Sequence, residues 1–173
     1  MIKIFLFAQG NPISTHFTSL YLGGSSSDLD PSFIKLCDKQ DFQQKVISWI
    51  NEDLGTVPQL NFQTVTQISN QNMLYIRAIL SRADIQEIVH FSLKHYNFNT
   101  NITFEFFDII TGEVFNSRTL TGQLVYEREK PHQITSVEKI ENFEVCLRGT
   151  IKKLTERIQQ NYKPGILEGH IVE

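Results

Sequence analysis

The chain has 173 residues, of which 40% are hydrophobic and 20% charged, and its 13 Phe supply ample aromatic material for a folded core. This length and composition are typical of one globular domain and exclude an intrinsically disordered chain. The balance of 16 Lys and Arg against 19 Asp and Glu gives a formal net charge of -3, which excludes the overall basic field that attracts nucleic acid. We therefore expect one domain over residues 1–173 that does not bind nucleic acid.

The first apolar run, residues 2–7, predicts a strand that is covered on both faces. Gln9 and Gly10 end this run too early for the apolar region of a signal peptide, and no stretch approaches the roughly 20 apolar residues that span a bilayer. If Met1 is the native start, the expected location is the cytoplasm. If an export signal was removed, the expected location is the periplasm or the cell envelope.

A second strand is predicted over residues 16–22, followed by a mobile surface loop over the Gly- and Ser-rich residues 23–27. Asp30 directly before Pro31 predicts the start of a helix, because an acidic cap followed by proline suits the first turn.

Asp38 or Asp41 then restarts a helix that Gly55 ends. The spacing of its apolar residues predicts one buried face, consisting of Phe42, Val46, Trp49 and Ile50.

The middle of the chain is rich in strand patterns. Residues 60–68 alternate in polarity and residues 73–80 follow across a polar turn, so the two segments predict an antiparallel hairpin. Residues 81–96 fit either a helix or a strand, and Ser81 three residues before Asp84 favours the helix.

The strongest strand signal covers residues 102–110, which turn through Gly112 into a β pattern that continues to Tyr126. We expect a hairpin here, and a final strand over residues 166–172.

The most clearly predicted helix covers residues 135–160, because Thr135 and Glu138 have the spacing of a capping box. One stripe along it is apolar apart from a single Glu, with Phe143 beside it: Val137, Ile140, Glu144, Leu147, Ile151, Leu154 and Ile158. The stripe predicts either a helix that crosses its own sheet or a helix whose end protrudes toward a partner.

Few side chains suggest chemistry. Five histidines are scattered through the sequence, and the closest pair, His90 and His95, is five residues apart, which on one helix or one strand separates the two rings. Glu105 and Asp108 lie on opposite faces of a regular strand, so they predict a polar-face residue and a turn residue rather than a catalytic pair. We predict no metal site and no cofactor, and a small-molecule ligand is not indicated.

The cysteines and the glycines give no motif either. Cys37 and Cys146 have no second ligand at metal spacing and are predicted to be buried thiols, although a secreted chain could pair them. No phosphate-binding glycine pattern and no nucleophile elbow is present, which leaves the catalytic residues unknown. A basic cluster on the last helix predicts a solvated face or a site for an acidic partner: Arg148, Lys152, Lys153 and Arg157.

Residues 103–122 carry a strand, an Asp, a Thr-Gly-Glu turn and a second strand. This hairpin resembles that of the TolB amino-terminal-domain and CsgG-like group of bacterial envelope proteins, and the order of the elements around it is similar. The resemblance covers roughly the last 75 residues. It implies a non-catalytic domain that is built into a larger envelope complex, and it assigns no functional residue.

These patterns together predict an α+β fold with a mostly antiparallel sheet of about five strands and two or three helices, one of them the long carboxy-terminal helix. The expected function is a non-catalytic protein-binding or assembly module of a larger bacterial complex, and the alternative is a small hydrolase-like enzyme. A module should expose an apolar or edge-strand patch, whereas an enzyme should bring a titratable pair together in a pocket. We expect a protein partner or self-association through the edge near residues 97–101 or through the end of the last helix.

Overall fold

A computed structural model describes residues 13–23, 28–55, 60–62, 73–107, 112 and 114–161 of the chain. The elements in chain order are β1 (Ile13–Leu22), α1 (Pro31–Cys37), α2 (Gln40–Gly55), β2 (Leu60–Phe62), β3 (Met73–His90), β4 (Leu93–Phe107), β5 (Val114–Glu129) and α3 (Ser136–Asn161). The predicted strands over residues 2–7 and 166–172 and most of the predicted loop over residues 23–27 lie outside the described residues.

The strands form one sheet in the order β2-β1-β3-β4-β5. β1 pairs in parallel with β2 and with β3, whereas β3 with β4 and β4 with β5 form long antiparallel pairs. Three helices accompany this five-stranded, mostly antiparallel sheet among the described residues, which confirms the predicted α+β class.

The hairpin predicted between residues 60–68 and 73–80 is wrong. β1 lies between β2 and β3, and β2 is parallel to β1. Local alternation of polar and apolar residues identifies a strand but carries no information about which strand is its neighbour. The helix pair α1–α2 makes the crossover that parallel strands require, which is why β1 and β2 can pair.

The helix favoured for residues 81–96 is also wrong, since β3 runs on to His90 and β4 begins at Leu93. Phe91 and Ser92 form the two-residue turn between them, and His90 pairs with Leu93. Two-residue hairpin turns usually contain Gly or Asn, and neither is present here. The sequence therefore carries no turn signal at this position, and the helical spacing continues across it.

The end of the β3–β4 hairpin that contains the turn extends beyond β1 and β2. The last contact of β3 on its β1 side is the bridge between Leu29 and Ala83, after which residues 84–90 pair with β4 alone among the described residues. Seven residues of strand correspond to about 23 Å. β5 accompanies β4 as far as Glu129, so the extension consists of three strands.

The first helix begins where its sequence predicts, whereas the second begins at Gln40, between the predicted starts Asp38 and Asp41, and packs on its predicted face. Asp30 caps α1 and its Oδ1 accepts from Ser32 N at 2.8 Å. In α2, Phe42, Val46 and Ile50 are buried and Trp49 is half-buried. Gln43 fastens α2 to the sheet, because its Nε2 donates to Leu20 O at 2.9 Å while its Oε1 accepts from Leu20 N at 3.2 Å.

The helices cover one face of the sheet and enclose the core. Apolar side chains at alternate positions of β3 and β4 meet those of the helices, including Ile76, Leu80, Phe98, Ile102, Phe104, Val46, Ile50, Phe143, Leu147 and Ile151. Phe143 of α3 stacks on Phe33 of α1 with the ring centroids 4.0 Å apart. This stack joins the first and last helices over the centre of the sheet.

The long helix α3 lies across its own sheet. Leu147, Ile151 and Leu154 of the predicted stripe are buried, and Glu144 forms an ion pair with Lys45 of α2. Val137 is 65% exposed, so the stripe starts later than predicted. Burial of Leu154 excludes a protruding helix up to that residue, and the side chain of Ile158 lies outside the described part.

The predicted capping box of α3 is present and is reinforced from β5. Glu138 N donates to Thr135 Oγ1 at 3.2 Å, and Glu138 Oε2 accepts from Thr135 N at 2.8 Å. Tyr126 OH donates to Glu138 Oε1 at 2.9 Å, and Arg128 forms an ion pair with the same carboxylate. The Thr135 N–H, followed by the other donors, lowers the pKa of Glu138 from 4.5 to about 2.

We expect the substitution Glu138→Gln to lower stability at neutral pH and to have little effect near pH 2. A depressed pKa in the folded state means that the ionised carboxylate stabilises the fold above about pH 4.5, and that this contribution disappears as the pH falls toward 2. Gln keeps one of the two accepting oxygens and replaces the other with an NH2 donor, so it resembles the protonated carboxyl rather than the carboxylate. Urea midpoints of both chains between pH 7 and pH 2 test this, and a pH-independent difference would contradict it.

Candidate functional site

The end of the β3–β4 hairpin exposes three apolar side chains, which we call the hairpin tip and define as Ile88, Val89 and Phe91. Their exposed fractions are 42%, 52% and 95%. Phe91 has a φ of 42°, in the left-handed region that favours Gly and that costs other residues about 1 kcal/mol. Phe91 therefore combines an exposed aromatic ring with a backbone conformation that is unfavourable for a residue other than Gly.

The charges around the hairpin tip are balanced. Residues 87–94 and 127–130 contain three acidic and three basic side chains: Glu87, Glu127, Glu129, Lys94, Arg128 and Lys130. Lys94 Nζ lies 3.0 Å from Glu87 Oε1, and Arg128 pairs with Glu138 of α3. The surroundings of the hairpin tip therefore have a polar rim with no net charge from these groups.

Two histidines that the sequence predicts to be apart come together here. His90 on β3 and His95 on β4 have ring centroids 6.1 Å apart, with the ring planes perpendicular, because the turn at Phe91 folds the two strands side by side. His95 Nδ1 lies 3.0 Å from Glu127 Oε1. Across the described part of the chain, no three His, Cys, Asp or Glu side chains are arranged to hold a metal ion.

We expect Phe91→Gly to stabilise the isolated chain by about 1 kcal/mol, because glycine adopts a positive φ without steric cost and the lost ring contacts little of the protein. Urea denaturation of the two chains measures the difference. A Phe91→Gly chain that is less stable than the parent by 1 kcal/mol or more would mean that the ring packs on the fold.

The sheet face opposite the helices is polar and internally bonded. Asn99 Nδ2 donates to Asp84 Oδ1 at 2.8 Å, and Arg82 forms an ion pair with the same carboxylate. Glu105 lies on this face as the sequence predicts and pairs with Arg77, whereas Asp108 lies outside the described residues. These carboxylates hold neighbouring strands together and do not converge as a catalytic pair.

Both cysteines are free and buried, as predicted. Burial, with a smaller effect of Asp38, raises the pKa of Cys37 to about 12, and burial also raises the pKa of Cys146. A nucleophilic cysteine needs a lowered pKa, so neither thiol has that property.

The predicted basic cluster on α3 divides into two parts. Arg148 belongs to the contact with α2, where its Nη2 lies 3.0 Å from Glu52 Oε2 and its guanidinium lies 5.4 Å from the centroid of the Trp49 ring. Lys152, Lys153 and Arg157 are exposed.

A groove of about 400 Å³ lies between the outer strand β5 and α3. We call it the edge groove, and its lining consists of Thr119, Leu120, Thr121, Lys153, Glu156 and Arg157. Lys153 Nζ donates to Thr121 O at 2.6 Å across the groove. The basic residues are recognisable in the sequence, but the strand edge beside them is not. The edge predicted near residues 97–101 is wrong, because these residues belong to the inner strand β4.

Comparison of the sequence with protein-family models and with curated proteins gives no match. Solved structures do match: the hypothetical protein CT253 from Chlamydia trachomatis has a TM-score of 0.50 at 8% identity, over 86% of this chain and 96% of that one. A minor lipoprotein from Acinetobacter baumannii has a TM-score of 0.43 at 15% identity, over 91% and 95% of the two chains. A PelC dodecamer from Paraburkholderia phytofirmans has a TM-score of 0.43 at 11% identity, over 85% and 89%.

The likeness to the Chlamydia protein shows a shared fold, and at 8% identity it carries no information about function. Within the ranges that the structure describes, no helix combines the length and the apolar character needed to cross a membrane.

Proposed function

We propose that the chain is a non-catalytic protein-binding or assembly module of a larger bacterial complex, and that the hairpin tip contacts its partner. The observation that supports this is Phe91, which is 95% exposed and has a φ of 42°. Glycine would suit the backbone better, and the ring packs little within the chain. Residues in unfavourable backbone conformations concentrate at functional sites, so we assign the Phe91 ring a role in contacting another molecule.

The chemistry of the hairpin tip favours a protein partner with an apolar pocket. An exposed aromatic side chain at the end of a hairpin resembles the anchors that dominate binding energy at interfaces. The balanced charges of residues 87–94 and 127–130 supply no attraction to an anionic lipid surface, which basic clusters normally provide. A polar rim around an apolar centre is typical of protein interfaces.

The location of this module in the periplasm or at the envelope is part of the proposal. It is supported by the resemblance of residues 103–122 to the TolB and CsgG-like group. The alternative of a small hydrolase has no specific support among the described side chains, where both cysteines are buried thiols and Glu105 is bound to Arg77.

Photo-crosslinking in the native cells tests the contact. A crosslinkable phenylalanine analogue at position 91 should give a discrete adduct with one protein, because the ring lies in the interface. The matched control carries the same analogue at Val145, which is 60% exposed on α3, and should not give that adduct. Identical adducts from both positions, or adducts with lipid alone from position 91, would overturn the proposal.

A further inference from the structure

Among the strands that the structure describes, β4 alone pairs with β5, so part of the β5 backbone faces away from the described sheet. Lys130 N donates to Ser92 O at 2.8 Å, which continues the β4–β5 ladder and fixes its alternation. In an antiparallel pair, alternate residues direct their N–H and C=O toward the neighbouring strand and the residues between them direct theirs outward. The outward groups on β5 are therefore those of the odd-numbered residues, including Thr119, Thr121 and Gln123.

Lys153 is bound to one of these outward groups. Its Nζ donates to Thr121 O at 2.6 Å, and its side chain is exposed. A lysine at a sheet edge protects against uncontrolled strand pairing. The Lys153 side chain is long and flexible. A backbone N–H of a partner can therefore take its place as the donor to Thr121 O if a carboxylate of the same partner binds the Lys153 ammonium group.

The edge groove has a small excess of basic side chains although the whole chain has a net charge of -3. Its lining contains two basic side chains, Lys153 and Arg157, and one acidic side chain, Glu156. Local charge complementarity therefore favours an acidic occupant.

The spacing of the basic residues suits an extended chain. α3 lies alongside β5, since Glu138 contacts Tyr126 near one end and Lys153 contacts Thr121 farther on. Lys153 and Arg157 are four residues apart, which is about 6 Å along a helix axis. Alternate residues of a strand are about 6.7 Å apart, so acidic side chains at every second position match this pair.

We propose that the edge groove binds an extended acidic segment of a partner protein as an added strand beside β5. The outward groups of Thr119, Thr121 and Gln123 pair with the backbone of the segment, and Lys153 and Arg157 pair with its carboxylates. This surface is separate from the hairpin tip and the proposal does not depend on the role of Phe91. An isolated anion would use the charges but not the strand edge.

The probe is a labelled seven-residue peptide in which Glu alternates with Thr or Val, titrated into the full chain by fluorescence anisotropy. Replacing each Glu with Lys should weaken binding at least tenfold. N-methylation of the peptide backbone on the side that faces β5 should also weaken it at least tenfold, because it removes the donors of the added strand. Hydrogen exchange of the Thr121 and Gln123 amides should slow when the unmodified peptide binds.

Variants of the chain separate the contributions. Lys153→Ala combined with Arg157→Ala should weaken binding at least tenfold, whereas Lys35→Ala on the exposed side of α1 and Phe91→Gly at the hairpin tip should bind as the parent does. Absence of binding at millimolar peptide, or equal binding of the N-methylated peptide, would overturn the proposal. Full displacement by inorganic phosphate without any protection of β5 would identify an anion site instead.

Discussion

Gly122→Ala is expected to destabilise the fold by about 2 kcal/mol or more, because α3 packs directly on this residue of β5. A Cβ at position 122 would overlap Thr150 Oγ1 and lie 2.7 Å from Thr100 Oγ1. These two hydroxyls are buried and 2.7 Å apart, and Thr150 Oγ1 also donates to Cys146 O at 2.9 Å. Neither side chain can move without breaking a buried hydrogen bond. Urea denaturation measures the loss.

Gly149→Ala provides the matched control on the facing helix. Nothing lies within 4 Å of a Cβ at position 149, and the residue is exposed in the interior of α3. Alanine should therefore stabilise the chain by about 1 kcal/mol. Equal effects of the two substitutions would mean that α3 does not approach β5 at Gly122 as closely as described.

Phe143→Ala is expected to cost about 3–5 kcal/mol, the range typical of a large aromatic residue removed from a core. Phe143 is fully buried, stacks on Phe33 at 4.0 Å and lies 6.4 Å from the Phe42 ring, so it contacts both other helices. The truncation removes the contact of α3 with α1 and α2, so the urea concentration at the unfolding midpoint should fall.

Val145→Ala on the same helix is the control for this prediction. Its side chain is 60% exposed, and its truncation should change stability by no more than about 0.5 kcal/mol. A loss below about 1 kcal/mol for Phe143→Ala would show that α3 does not complete the core.

The parts of the fold that depend on local chemistry could be predicted from the sequence. Asp30 before Pro31 and the pair Thr135 and Glu138 determine where helices start, because their side chains satisfy backbone donors within a few residues. The hairpin through Gly112, whose φ is 71°, follows from the need for a residue that tolerates a positive φ. The buried face of α2 follows from helical periodicity.

The parts that depend on long-range pairing could not be predicted. The parallel placement of β1 between β2 and β3 depends on which strands become neighbours, and no local pattern encodes that choice. The β3–β4 hairpin was missed because Phe91 occupies a position where turn chemistry calls for Gly or Asn. Phe91 thus both supports the proposed function and removes the turn signal from the sequence.

Two features of the candidate surfaces depend on how the chain folds and not on local sequence. On one continuous helix or strand the rings of His90 and His95 would be apart, whereas the turn between them brings the rings together. The basic residues of α3 were recognised from helical spacing, but their place beside a strand edge requires the packing of α3 along β5, which Thr150 and Gly122 permit.

We propose that Phe91 contacts a partner protein and does not stabilise its own fold. The most direct measurement purifies tagged parent, Phe91→Gly and Val145→Ala chains from the native cells. It then quantifies how much of the partner protein, identified by crosslinking at position 91, purifies with each chain. We predict that Phe91→Gly is at least as stable as the parent in urea yet loses that protein from the purified complex, while Val145→Ala retains it. A Phe91→Gly chain that retains the protein at the parental level would contradict the account.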